Sequence, residues 1–117
     1  MPGPDQIAEA RVPVIEHGNG VVTHINVFTV DPARQQELVD SLTETVNAAR
    51  HMPGWLSASI HRSFDGRHVT NYVQFDSQEA GQRVTQALFA MGLIQRNTAI
   101  GAVAPGAYEV VYTAEKA

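Results

Sequence analysis

Asn71 is the residue whose placement most asks for chemistry. In Val69-Thr70-Asn71-Tyr72-Val73-Gln74-Phe75 it alternates in step with Val69, Val73 and Phe75, so a carboxamide stands in the middle of an otherwise apolar stripe. A buried amide left unpaired costs about 1–3 kcal/mol, so Asn71 must find a partner in protein, water or ligand. One arrangement has it bonding a loop backbone. The other aims its N–H at a ligand oxygen, where it would stabilise an enolate or phenolate as negative charge develops. His24 and Asn26 pose the same question one strand away, alternating with Val22, Phe28 and Val30 and opposite to Val21, Thr23, Ile25 and Val27. Turned inward, His24, Asn26 and Asn71 would share a cavity walled by Phe28, Phe75, Phe89 and Met91, an apolar pocket with a few convergent polar groups. Turned outward, His24 and Asn26 would lie in a seam between subunits. An inward His24 suits a general base, because imidazole titrates near neutrality.

Other chemistries lack their residues. The five histidines (His17, His24, His51, His61 and His68) form no H-E-x-x-H or His-plus-carboxylate pattern. His61 and His68 share a hairpin face that offers no third ligand, so a hydrogen-bonded pair at an interface is expected there, and no metal. The absence of cysteine excludes disulfides, thiolate nucleophiles and Cys-ligated zinc or iron–sulfur clusters. Neither G-x-G-x-x-G, nor a P-loop, nor a G-x-S-x-G elbow occurs, which leaves nucleotide binding and serine catalysis unsupported.

The chain has 117 residues, 44% hydrophobic and 17% charged, with 8 Lys+Arg against 12 Asp+Glu for a net charge of −4, which describes one small domain able to bury a single core. A single lysine, Lys116, and scattered arginines make no basic stripe, so no nucleic-acid partner is expected. No segment approaches the roughly 20 apolar residues of a membrane span, and the opening Met1-Pro2-Gly3-Pro4-Asp5 is not a leader, so the expectation is a cytoplasmic protein without a membrane partner.

The elements that must position these residues follow from local patterning. Residues 1–19, rich in proline and ending near His17-Gly18-Asn19-Gly20, are expected as an arm outside the core, with Ala10–Ile15 as an edge strand. Val21–Val30 has Val, Thr or Ile at seven of ten positions and reads as the first strand. Asp31-Pro32 starts a helix that runs to about Arg50 with Leu38, Leu42, Val46 and Ala49 on one stripe, and Pro53-Gly54 stops it. Trp55–Ser63 and His68–Phe75 form a hairpin, with Asp65-Gly66 as a two-residue type I′ turn. Opposite partners then sum to 131, which sends Leu56, Ala58, Ile60, Val69, Asn71, Val73 and Phe75 to the core face and Trp55, Ser57, Ser59, His61, His68, Thr70, Tyr72 and Gln74 to the other. A second helix is expected from an Asp76/Glu79 capping pair to about Met91, then a loop over 92–106 that is a candidate lid, then a last strand Ala107–Thr113.

The order β-α-β-β-α-β is that of a ferredoxin-like α+β sandwich, two helices on one face of an antiparallel sheet. The second sheet face, with Trp55, His61, Tyr72 and Gln74 among small polar residues, suits burial against another sheet, so a homodimer is expected.

The stretch Pro53-Gly54-Trp55-Leu56-Ser57-Ala58-Ser59-Ile60-His61-Arg62-Ser63, then Asp65-Gly66, then Val69-Thr70-Asn71-Tyr72-Val73-Gln74-Phe75-Asp76-Ser77, resembles the antibiotic biosynthesis monooxygenase (ABM) superfamily. It is most similar to the small quinone-forming monooxygenases of aromatic polyketide biosynthesis. The resemblance covers about residues 20–114 and makes 20–117 the folded domain. It implies a dimeric α+β barrel with one cavity per subunit between sheet and helices. It also implies oxidation of an anthrone-like phenol to a quinone by O2 without metal, flavin or other cofactor. Asn71 matches the asparagine of that pattern. Phe75 stands where the family commonly has Trp, and Gly81 near where those enzymes can carry a pocket Tyr. The haem-degrading members are similar at Asn26 and Phe75, but Val84–Met91 holds no histidine to ligate iron.

The expected function is therefore a cofactor-independent monooxygenase acting on a small aromatic substrate and O2. Asn71 would bind the oxyanion, His24 or Asn26 would assist proton removal, and Phe28, Phe75, Phe89 and Met91 would form the walls. A non-redox cyclase or isomerase using the same pocket, and a noncatalytic aromatic-ligand-binding protein, are the alternatives.

Overall fold

The structure, a computed structural model, describes residues 12–117. Strand β1 (Val22–Thr29) leads through a 3-10 turn (Pro32–Arg34) into helix α1 (Gln35–Ala49). Strands β2 (Trp55–Arg62) and β3 (His68–Phe75) follow, then α2 (Gln78–Ala90), α3 (Leu93–Ile100), β4 (Ala102–Ala104) and β5 (Ala107–Glu109). The sheet is antiparallel in the order β2-β3-β1-β4. Strand β5 continues β4 along the same edge of β1, across a break at Pro105-Gly106 that Ile25 N–H spans by bonding Gly106 O at 2.9 Å. This is the expected ferredoxin-like α+β arrangement. No helix among the described residues is long and apolar enough to cross a membrane.

Local chemistry accounts for most boundaries. Asp31 Oδ1 accepts from Ala33 N–H at 2.9 Å, and Pro32 fits the first turn, so the start falls where the sequence puts it, with that turn tightened to 3-10. At the far end of α1, Gly54 takes φ +86, which L side chains rarely adopt, and packs its Cα against Ala80 so closely that a Cβ would overlap that side chain. The stripe Leu38, Leu42 and Ala49 is buried.

The core falls into two lobes. Phe28, Val30, Leu38, Leu42 and Val69 form one, and Ala49, Val73, Phe75, Ala80, Val84 and Leu88 the other. Both contain β1 or β3 residues in register with Asn71, and this settles the first strand. Because Asn26 pairs with Asn71, His24 with Val73 and Phe28 with Val69, the His24 face of β1 is the helix-facing one.

Several expectations are corrected. The hairpin turns through Phe64–Arg67: Ser63 N–H bonds His68 O at 3.0 Å, Gly66 N–H bonds Ser63 O at 3.2 Å, and of the pair Asp65-Gly66 only Gly66 has positive φ. The register survives, since Ser59–Tyr72, Ile60–Asn71 and His61–Thr70 all sum to 131. It fails at the other end of β2. A bulge at Leu56 leaves Trp55 opposite Phe75 and Ser57 opposite Gln74, and one extra residue exchanges the two faces. Trp55 therefore packs on the helix side and not on the outer face, while Leu56, expected in the core, is 48% exposed.

Ser77, not Asp76, caps α2, its Oγ accepting from Ala80 N–H at 3.1 Å. The expected loop 92–106 is largely α3 and β4, and the last strand stops at Glu109. Of the proposed edge strand Ala10–Ile15, Ala10 and Arg11 lie outside the described residues, and Val12–Ile15 is not a strand. Val14 O instead accepts from Gln74 Nε2 at 2.9 Å, so this segment reaches the outer face at Gln74, which is 4% exposed. His61 Nε2 bonds Ser59 Oγ at 2.9 Å, and among the described residues nothing joins it to His68.

Candidate active site

A cavity of about 380 Å³ opens between the two core lobes, within the size range of small-molecule sites. The sheet contributes His24, Asn26 and Phe28 from β1, Asn71, Val73 and Phe75 from β3, and Trp55 from β2. The helices close it with Leu42, Thr45, Val46 and Ala49 from α1, Val84, Thr85, Leu88 and Phe89 from α2, and Ile94, Asn97 and Thr98 from α3. Six of the seven residues expected at the site meet here. Met91 does not, because it is the C-cap of α2 and turns outward, 56% exposed.

The two asparagines are one unit. Asn26 Nδ2 donates to Asn71 Oδ1 at 2.8 Å, across a pair that the strand register places directly opposite. This bond occupies the acceptor end of Asn71 and so directs its amino group outward. Among the described residues that Nδ2 meets no protein acceptor, and it is not sealed from solvent: the only buried, unpartnered side-chain atom there is Thr23 Oγ1, on the opposite sheet face. A neutral N–H donor in an apolar cavity, held by a partner amide, is suited to an oxygen acquiring negative charge.

His24 lies diagonally across from Asn71, a spacing of about 7 Å between Cβ atoms. Its ring packs on Phe75 with centroids 4.7 Å apart and planes at 58°. Burial lowers its pKa from 6.5, so the imidazole is neutral at pH 7 and free to accept a proton. It also lines a second, shallower cleft of about 450 Å³ with Val22, Gln78, Gln82, Thr85, Gln86 and Ala107.

Two features escape sequence reasoning. Trp55 brings an indole, a side chain with the N–H that phenylalanine lacks, to the cavity wall directly opposite Phe75. Only the bulge places it there, and the sequence carries no mark of that bulge. Asn97, 2% exposed, is the other. Its Oδ1 accepts from Ser41 Oγ and its Nδ2 donates to Thr45 Oγ1 at 2.9 Å, while Arg96 bonds Ser41 Oγ at 2.9 Å and Glu44 at 2.7 Å. These bonds fasten α3 onto α1 as a wall, and the spacing of Leu93, Ile94, Asn97 and Ile100 was the available signal. Among the described residues no three His, Asp or Glu side chains gather as a metal-ligand set.

A 57-residue stretch is 49% identical to tetracenomycin-F1 monooxygenase of Streptomyces glaucescens; it is 48% of this chain and 51% of that protein, so the match spans about half the relative's length. The fold matches that of SnoaB, a cofactor-independent oxygenase from Streptomyces nogalater, with a TM-score of 0.70 at 18% identity over 83% of this chain and 99% of that one. It also matches the monooxygenase of ActVA-Orf6 from Streptomyces coelicolor in complex with nanaomycin D, with a TM-score of 0.73 at 27% identity over 85% and 95% of the two chains. Residues 21–87, which carry His24, the paired amides, Trp55 and Phe75, match the family described as antibiotic biosynthesis monooxygenase, and the chain belongs to that family.

Proposed function

We propose that this protein is a cofactor-independent monooxygenase that oxidises a reduced aromatic polyketide, an anthrone-like phenol, to a quinone with O2. The observation that carries this reading is the Asn26–Asn71 pair, which leaves the Asn71 amino group without a protein acceptor in an apolar cavity beside a neutral imidazole. The relatives support it: the similar Streptomyces proteins are a monooxygenase named for tetracenomycin F1 and a monooxygenase holding nanaomycin D.

His24 takes a proton from the acidic ring methylene, and Asn71 Nδ2 holds the ring oxygen on which the charge settles. The anion passes an electron to O2, and the radical pair joins at the former methylene carbon. The resulting peroxide takes back the proton and loses water to leave a carbonyl. One CH2 and one O2 become one C=O and one H2O, with the four electrons coming from the substrate carbon. The protein supplies desolvation, orientation and anion stabilisation.

A second copy of the chain is the proposed partner of the outer sheet face, where Val27 and Tyr108 are exposed and Ile25 and Tyr72 half-buried. Oxygen uptake by metal-stripped protein with dithranol, an anthrone, tests the activity. Uptake above autoxidation and matched by quinone formation is expected. Conversion to a product of unchanged mass would replace the reading with a non-redox isomerase, and saturable binding without turnover would replace it with a binding protein.

A further inference from the structure

Gly81 occupies the fourth position of α2 with ordinary backbone geometry, so no positive φ calls for glycine there. Within a helix glycine is the least favourable residue after proline, and the position needs another reason. A Cβ at residue 81 would lie 2.8 Å from His24 Nε2, 3.0 Å from His24 Cε1 and 3.3 Å from Phe75 Cδ2. The imidazole is thus held between the bare turn of α2 and the buried Phe75 ring, and cannot retreat toward Phe75, on which it already packs. The open directions are the cavity and the glutamine-lined cleft, both of which the ring lines.

We propose that Gly81 is a positioning residue, whose missing side chain forms the slot in α2 that keeps the His24 imidazole in the wall between the cavity and the cleft. The family resemblance places a pocket tyrosine near this position; here the space is given over to a histidine from β1. Among the described residues no charged group faces that histidine. Val73 and Phe75 come from β3, Gln78, Gly81, Gln82 and Thr85 from α2, and Ala107 from β5. Desolvation alone therefore sets its titration. Any side chain at residue 81 drives the ring out of this slot, away from Phe75 and into more open surroundings, where it regains water and loses its set position toward the substrate. The catalytic half of this inference rests on the reading of His24 as the base.

The test compares Gly81→Ala, His24→Ala and the double variant with the parent. The His24 ring proton, assigned by its absence from His24→Ala, should titrate below 6.5 in the parent and close to 6.5 in Gly81→Ala. Gly81→Ala should lower Tm in the parent background, while in the His24→Ala background the same change should raise it by about 4 °C, the helix-propensity gain alone. Turnover of dithranol should fall at least tenfold in Gly81→Ala, its acid limb moving up in pH, with no further loss on adding Gly81→Ala to His24→Ala. An unmoved His24 titration, or an equal loss of Tm in both backgrounds, would overturn the proposal. If Gly81→Ala does not fold, a folded double variant confirms the clash with His24, and an unfolded one refutes it. Titration and Tm shifts as expected, with full activity in His24→Ala, would uphold the positioning and reject His24 as the base.

Discussion

Replacing Asn71 by Ala removes the amino group that the amide pair leaves without a protein acceptor, and its effects on catalysis and folding should separate. Loss of one preorganised donor to a developing oxyanion costs about 10²–10³ in kcat. Loss of the single Asn26–Asn71 bond costs about 1 kcal/mol of stability, because the vacated space opens on a cavity that water can enter and Asn26 is not left dry. For a domain of this size that is about 4 °C in Tm. Asn26→Ala tests the orienting role separately. It leaves the donor but frees it to rotate, and a bond of about 1 kcal/mol corresponds to about fivefold in rate. Because Asn26 acts through Asn71, the double variant should be no slower than Asn71→Ala. The assay is oxygen uptake with dithranol under air, with quinone formation followed in parallel and thermal unfolding of each protein as the control. Asn71→Ala within twofold of the parent, or multiplicative losses in the double variant, would refute the assignment of the pair.

Trp55 is the only tryptophan in the chain and lines the cavity, so its emission should respond saturably to polycyclic phenols; ligand bound by calorimetry without any change in emission would place binding elsewhere. Burial holds the His24 imidazole below its ordinary 6.5, so turnover should be flat above pH 6.5 and fall only below it. On acidification the unfolded chain binds that proton first, so the contribution of neutral His24 to stability is complete above 6.5 and is lost as pH falls through the lowered value. Denaturant unfolding of the parent and His24→Gln at pH 7.5 and 5.5 should show the smaller pH dependence in the variant, and equal dependences would contradict it. Val27→Glu, on the outer face, should convert a dimeric parent into monomers by sedimentation; a monomeric parent would remove that interface.

Much of this site is legible in the sequence because period-two patterning assigns residues to faces without reference to the rest of the molecule. Asn71 is identified by its apolar neighbours alone, and the hairpin register follows from the loop even though the turn differs, because Ser63–His68 and Asp65–Gly66 share one sum. Patterning fails where a property is not carried by side-chain type. Strand β1 alternates two mixed faces, and only pairing with β3 shows which one meets the helices. Helix α3 is short and carries Asn97 on its buried side, so its apolar period is incomplete. Trp55 is misplaced for the plainest reason: parity counts residues, and the bulge adds one.

That bulge has a consequence for how such a chain can vary. Upstream of Leu56, inside and outside are set by whether that residue is bulged or paired, so the fate of the indole depends on the backbone at this point and not on its own identity. Paired regularly at the same length, Leu56 would stand opposite Phe75 and Trp55 would move to the outer face, emptying the cavity of its indole, whereas deletion of residue 56 would leave Trp55 next to Ser57 and still opposite Phe75. Ligand recognition and surface adhesion are thus coupled through a single backbone irregularity, and closing the bulge at constant length moves both at once.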